Sequence, residues 1–403
     1  MTSVRTESDV YYDPYDFGID VDPYPVWKRL RDEAPLYYNE KHDFYALSRY
    51  DDVKAASFEW KRYLSGKGSV IEIIKSGVDI PPGTVLFEDP PAHDIHRALL
   101  ARVFTPKRVA DLEPKVRAFC ARTLDPLVGT GRFDFVKDLG AEVPMRTIGM
   151  MLGIPESDQE AHRERVDKNM SLKDDDGAQQ EPSNPLAALD GDVFAEYIDF
   201  REKNPSDDLM TALLNAEYED LHGETRKLTR EEISSYVGLL AAAGNETTTR
   251  LIGWAGKVLA ENPDQRAELV SDPSLIPGAV EELLRYEAPS PVQARYVAED
   301  ATWHGQTVPR GSVLVLLTGA ANRDERQFAD PDTFDIRRDI GSQLSFGYGI
   351  HFCLGSHLAR LEARVALEEV LKRFPTWEVD WDDAEQAHTS TVRGWVRLPV
   401  LTG

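Results

Sequence analysis

Apolar residues recur at helical spacing along most of the chain. Residues 25–33 are amphipathic, 112–124 repeat apolar positions every three to four residues before Pro126, and 193–202 and 207–217 show the same period. Short β-like runs are few, at 43–48, 296–297, 312–317 and 396–401. The pattern predicts a mainly α protein with small β-sheets. There is no internal repeat and no long linker, so residues 1–403 are expected to form a single domain, with about 1–12 as an N-terminal tail. Residues 174–185 (DDDGAQQEPSNP) predict an exposed loop between helical segments.

One helix stands out, from Thr229 to Asn262. Thr229 can cap it, Glu232 three residues later completes a capping box, and Leu228 with Ile233 fits the flanking hydrophobic staple. Nothing breaks the pattern before Asn262-Pro263, which gives a helix of roughly 50 Å. Residues 237–243 are apolar on every side, so the helix should be buried. Yet its centre reads Gly244, Asn245, Glu246, Thr247, Thr248, Thr249. Polar groups and a glycine there are locally expensive, as at a functional site. An ordinary helix lining a water pocket fits the same pattern.

Charge and cysteine content narrow the chemistry. The formal net charge is −24, which argues against nucleic acid or an anionic membrane surface as partner. No run of 18 apolar residues exists, so no membrane span is expected, and the polar, acidic N-terminus is no signal peptide. Cytoplasmic residence follows as the expectation. The two cysteines, Cys120 and Cys353, argue against a disulfide framework and exclude any four-cysteine zinc or iron–sulfur site within this chain.

Cys353 lies in LSFGYGIHFCLG, ahead of an amphipathic helix marked by Leu358, Leu361, Val365, Val370 and Leu371. A glycine-rich loop thus brings a cysteine to a helix N-terminus, where unpaired N–H groups favour a thiolate. Gly347 and Gly349 permit backbone conformations closed to other residues, and Gly355 removes a side chain where the helix would meet something flat. A thiolate with one open side, between Phe346 and Phe352, suits axial ligation of a haem iron. A buried structural cysteine and a cysteine nucleophile remain alternatives.

These residues resemble the cytochrome P450 family. Phe346, Gly349, Cys353 and Gly355 fill the fixed places of its Phe-x-x-Gly-x-x-x-Cys-x-Gly loop, and Ala243-Gly244-Asn245-Glu246-Thr247-Thr248 matches its oxygen-activation motif. Glu282 and Arg285 match Glu-x-x-Arg, a structural pair, with residues 332–337 similar to the segment that completes its network. His93, Arg97, Arg295 and His351 resemble the clamps on the haem propionates. The resemblance spans about residues 13–401. It implies the P450 fold, with haem b between a long distal helix, locally opened beside the iron, and the cysteine loop. Cys353 would bind iron, and Ala243, Gly244, Thr247, Phe346, Gly347 and Gly355 would also contact the cofactor.

The implied activity is monooxygenation by O₂, with Glu246 and Thr247 delivering protons. The implied electron donors are a separate ferredoxin and an NAD(P)H-linked ferredoxin reductase, since no length is left for a fused reductase. Arg102, Lys107, Arg108, Arg360 and Arg364 flank the segments expected on the docking face. The substrate pocket is expected from 63–86, 169–186, 239–247, near Val292 and 389–392, with Leu239, Leu240, Ala243, Val292 and Thr391 as contacts. A lipophilic substrate follows, a lipid, terpenoid or steroid, acted on by a monomer. Two other readings are a peroxide-driven peroxygenase and a haem sensor or carrier without turnover. The acid–alcohol pair Glu246-Thr247 argues against both.

Overall fold

The computed structural model describes residues 10–161, 186 and 191–403. The expected loop at 174–185, the pocket segment 169–186 apart from Leu186, and the tail up to residue 9 lie outside the described residues.

Helices dominate and the sheets are small. The 112–124 pattern folds as helix Glu113–Leu124, which buries Val116, Cys120 and Leu124 along one i, i+4, i+8 stripe. The 25–33 segment is helix Tyr24–Glu33, with Trp27 and Leu30 inward. The 193–202 segment opens with a 3₁₀ turn, Gly191–Phe194, before helix Ala195–Lys203. Helix Leu209–Asn215 is shorter than the 207–217 pattern predicts. Asp208 caps its start, and Ala216 turns extended so that Glu217–Glu219 pairs with Thr225–Lys227.

The largest sheet runs Leu36–Asn39, Phe44–Leu47, Val313–Leu316, Gln293–Val297, Tyr63–Leu64. Phe44–Leu47 and Val313–Leu316 pair in parallel and the other pairs are antiparallel. Val313–Leu316 is buried on both faces, as a central strand must be. The 396–401 run is not one strand. Arg393–Arg397 forms a hairpin with Glu385–His388, while Pro399–Thr402 joins a separate sheet with Trp377–Val379 and Arg132–Asp134. Leu398 makes the switch. It is fully buried, its N–H donates to Asp134 (3.0 Å), and its carbonyl accepts from Phe135 N (3.0 Å).

The long helix is Arg230–Glu261, and both arms of the capping box form. Glu232 N donates to Thr229 Oγ1 (3.2 Å), and Thr229 N donates to Glu232 Oε2 (2.7 Å). The helix packs against Phe135–Gly140, Glu142–Leu152 and the post-cysteine helix Ser356–Arg373. Gly256 allows that closeness, since a Cβ there would come within 2.5 Å of the Phe135 ring. Among the described residues, no helix is long and apolar enough to cross a membrane.

Candidate functional site

Burial along the long helix marks where it faces a hollow. From Glu232 to Gly256 every residue is buried except Leu240, Ala241, Ala243, Gly244 and Thr247. Leu240, Ala243 and Thr247 stand at i, i+3, i+7 and so form one stripe. Ala243 is exposed at the centre of an otherwise buried rod. Leu239, beside the stripe, is buried. Gly244 meets the neighbouring helix, where an added Cβ would lie 3.1 Å from the Ile148 side chain.

Two expectations for this helix change. It runs unbroken through the polar centre, so the opening beside the cofactor is not a break in its α-helical pattern. The Thr247 hydroxyl donates to the Ala243 carbonyl (3.0 Å), a back-bond that occupies it within the helix. Glu246 does not reach solvent. It is 2% exposed and paired with Arg250, whose Nε donates to its carboxylate at 2.8 Å and whose guanidinium also holds the Trp395 carbonyl.

The cysteine loop has the predicted form. Gly347 and Gly349 adopt φ of +71° and +76°. A Cβ on Gly349 would also sit 2.8 Å from the Ser57 carbonyl. Cys353 N donates to the Phe346 carbonyl (2.8 Å), which closes the loop, and Ser356 opens the helix behind it. Phe346 is buried under the Arg360 guanidinium, 4.4 Å from its ring centre, while Phe352 is exposed. Gly355 leaves room beside the sulfur, at 3.9 Å from its would-be Cβ. Burial pushes the Cys353 thiol up, and the Gly355 N–H, Arg97 and Arg360 pull it down without prevailing. The polypeptide alone therefore does not favour the thiolate as expected. A coordinated metal ion does, since it deprotonates a thiol ligand.

The four expected clamps come together. His93 and His351 stack edge to face, ring centres 4.5 Å apart. His93 is 1% exposed; its Nδ1 meets Asp94 (3.0 Å) and its Nε2 has no partner. His351 Nε2 is likewise buried without a partner. Arg97 donates to the Phe352 carbonyl (2.5 Å), beside the cysteine. Arg295 is buried at the centre of strand Gln293–Val297 and donates to the Ala294 carbonyl (2.8 Å). Burial lowers it to about 10, with Asp89 the opposing carboxylate. Burial, then Arg295, His93 and Arg97, lower His351 to about 3. An anion placed among these groups would oppose that shift. Two arginines, one of them buried, and two buried, orphaned imidazole nitrogens in one place call for an anionic partner with several oxygens. The two carboxylates of a haem fit that need, and the open stripe on the long helix fits its flat apolar body.

Glu282 and Arg285 form the expected core pair. Both are 0% exposed, joined by two bonds of 2.7 Å. Arg285 also donates to the carbonyls of Asn322 (3.0 Å) and Pro331 (2.8 Å). From the 332–337 segment, the Asp335 N–H donates to Glu282 (3.0 Å). The cation completing the network is Arg338, just beyond that segment, whose Nε reaches Glu282 at 3.1 Å; Arg337 turns outward to Glu268. Asn322 extends the network to the cysteine loop, through Ser345 Oγ (2.8 Å) and Leu344 N (2.8 Å).

Sequence reasoning missed Glu362, on the buried face of the post-cysteine helix. It is 1% exposed, and burial pushes it up to about 8, with the Thr147 and Thr248 hydroxyls pulling it down without prevailing. Its spacing from Leu358 and Val365 was the available signal. On the expected docking face, Arg360 pairs with Glu281 (3.0 Å) and Arg364 with Glu368 (2.8 Å). Arg102, Lys107 and Arg108 stay exposed, with no carboxylate partner among the described residues.

These features would suit a flat, twice-carboxylated cofactor placed beside Cys353. The cytochrome P450 family model matches residues 192–399. The chain is 41% identical over 417 residues to a putative cytochrome P450 123 of Mycobacterium tuberculosis, covering 99% of each chain. It is 34% identical to the vitamin D(3) 25-hydroxylase of Pseudonocardia autotrophica, covering 94% of each. The structure of CYP109Q5 from Chondromyces apiculatus superposes with a TM-score of 0.84 at 33% identity, covering 97% of this chain and 98% of that one. The chain belongs to the cytochrome P450 family, whose members bind haem, and it is a P450 monooxygenase.

Proposed function

We propose that this chain binds haem b through Cys353 and inserts one atom of O₂ into a lipophilic small molecule. A separate ferredoxin and ferredoxin reductase would supply the electrons. One observation carries the cofactor assignment: the orphaned nitrogens of His93 and His351 beside Arg97 and Arg295, in one place next to the cysteine loop. Residues 1–403 act as one haem-binding unit, in the cytoplasm and as a monomer.

The bound haem supplies electron transfer to O₂ and cleavage of its O–O bond, which a thiolate ligand favours. The polypeptide does the rest. Arg97, Arg295, His93 and His351 hold the propionates. Phe346, Gly347 and Gly355 shape the proximal face, Ala243 leaves the distal face open, and Gly244 lets the long helix approach Ile148 beside it. Thr247 hands a proton to the distal face when its hydroxyl leaves the Ala243 carbonyl. Glu246 passes protons to it on releasing Arg250, because a carboxylate held in that pair cannot shuttle them. Leu239, Leu240, Val292 and Thr391 line an apolar pocket, and the hydroxylase of a lipophilic vitamin among the relatives supports a lipophilic ligand. Arg102, Lys107 and Arg108, the cations left without carboxylates, form the docking patch for an acidic ferredoxin.

The reduced CO complex tests the assignment. The wild type should absorb at the thiolate position, and Cys353→Ala should lose that band while remaining folded. A band that persists in Cys353→Ala would overturn it. Thr247→Ala should keep the band and divert electrons to peroxide; unchanged coupling of electron use to product would remove Thr247 from proton delivery.

A further inference from the structure

We propose that Phe17 and Asp20 select the substrate from outside the pocket, by fixing the tip of the hairpin that carries Thr391. The inference rests on the reading above that Thr391 and Val292 line the pocket. The hairpin Glu385–His388/Arg393–Arg397 has only two strands, and its tip is residues 389–392. A two-stranded hairpin is marginal alone, so its tip lies where its docking contacts put it.

Those contacts fall on two sides. On the inner side Arg393 is buried, and it donates to Glu287 Oε2 (2.8 Å) and to Tyr24 Oη (2.9 Å). Its carbonyl accepts from Trp254 Nε1 (2.9 Å). On the outer side the strand leading into the tip rests on the short helix Phe17–Val21. The His388 ring stacks on Phe17 at 4.3 Å and 19°, and its Nδ1 meets Asp20 Oδ2 (2.8 Å). Gln386 Nε2 donates to the Asp20 carbonyl (3.2 Å), and Arg393 Nε donates to the same carbonyl (2.8 Å).

Packing does not fill the space between the tip and this helix. A cavity of about 30 Å³ lies there, bordered by Ile19, Asp20, Trp27, Val292, Thr391 and Arg393, and the buried Trp27 Nε1 has no partner. The tip therefore has room to shift, and the contacts that Phe17 and Asp20 make with His388 limit that shift. Ser290 Oγ donates to the Thr391 carbonyl (3.2 Å), so a shift of the tip is passed to the loop bearing Val292. Phe17 and Asp20 are positioning residues: they set the end wall of the pocket through Thr391 and Val292.

The test uses haem-loaded protein and two azoles that bind the iron, read by their spectral titrations. Imidazole reaches the iron without filling the pocket; econazole fills it. Phe17→Ala and Asp20→Ala should raise the econazole Kd by about fivefold relative to the imidazole Kd, while Phe17→Trp and Asp20→Asn, which keep the stack and the acceptor, should stay within about twofold of wild type. Thr391→Phe should shift the same ratio directly. If Thr391→Phe shifts it and the two alanine variants do not, the inference fails and the pocket stands. If Thr391→Phe leaves it unchanged, the pocket assignment fails and the inference with it. Equal weakening of both azoles in the alanine variants would mean general damage, and would also overturn the inference.

Discussion

Two charge clusters, a fully buried one behind the cysteine loop and a partly buried one beside it, are built on opposite plans. Around Glu282 and Arg285 every charge is answered: a bidentate pair, two carbonyls, a backbone N–H and Arg338. Around His93, Arg97, Arg295 and His351 the cations and donors outnumber their partners, and two nitrogens have none. Both plans take charge out of water, which is costly. The first recovers the cost within the chain and so acts as structure. The second recovers it only when an anion arrives. A closed network serves folding, and an open one serves a ligand.

The sharpest way to break this contrast is Glu282→Ala. It strands a fully buried guanidinium and should cost about 3–5 kcal/mol, seen as a large drop in melting temperature or loss of folded protein. A drop of a degree or two would show that the pair is not structural.

Glu362 is a third case, a buried carboxyl with two threonine hydroxyls near it and no cation. Its folded value of about 8 lies above the unfolded one, so the unfolded chain loses its proton first as pH rises. Its contribution is therefore fully present below about pH 4.5 and lost as pH climbs towards 8. Glu362→Gln should flatten that slope and raise stability at pH 8 by about 1–3 kcal/mol. Parallel stability–pH curves for the two proteins would contradict the assignment.

Arg295→Leu should act with the opposite sign to Glu282→Ala. Removing a desolvated charge should stabilise the haem-free protein by about 1–2 kcal/mol, while haem transfer to apomyoglobin becomes faster. Destabilisation of the haem-free form would place Arg295 with the closed network. The smallest effects separate two neighbours. Arg337→Ala removes an exposed pair with Glu268 and should change stability by less than about 0.5 kcal/mol. Arg338→Ala should cost more, about 1–2 kcal/mol, because it takes a partner from Glu282. Equal effects in chemical denaturation would erase the distinction.

Much of this architecture is local, and local features are legible in a linear pattern. The capping box at Thr229, the uninterrupted apolar period to Asn262 and the turn glycines of the cysteine loop depend on neighbours a few residues away. They settled the long helix, the position of Cys353 and the family. The strand Leu36–Asn39 went unseen because a four-residue segment takes its identity from the partner it pairs with. The switch at Leu398 was hidden because Arg393–Arg397 and Pro399–Thr402 read as one run until they find different sheets.

By itself, then, the sequence determined a mainly helical protein, a cysteine held at a helix start and a polar centre in a buried rod. Only the tertiary structure decided the burial and pairings: that Glu246 is tied to Arg250, that His93 and His351 stack with two nitrogens unpartnered, that Arg338 and not Arg337 serves Glu282, and that Glu362 is buried without a cation. The reason is physical. Helix period and turn conformation are set by covalent neighbours, whereas desolvation and Coulomb energy depend on which distant groups are packed alongside.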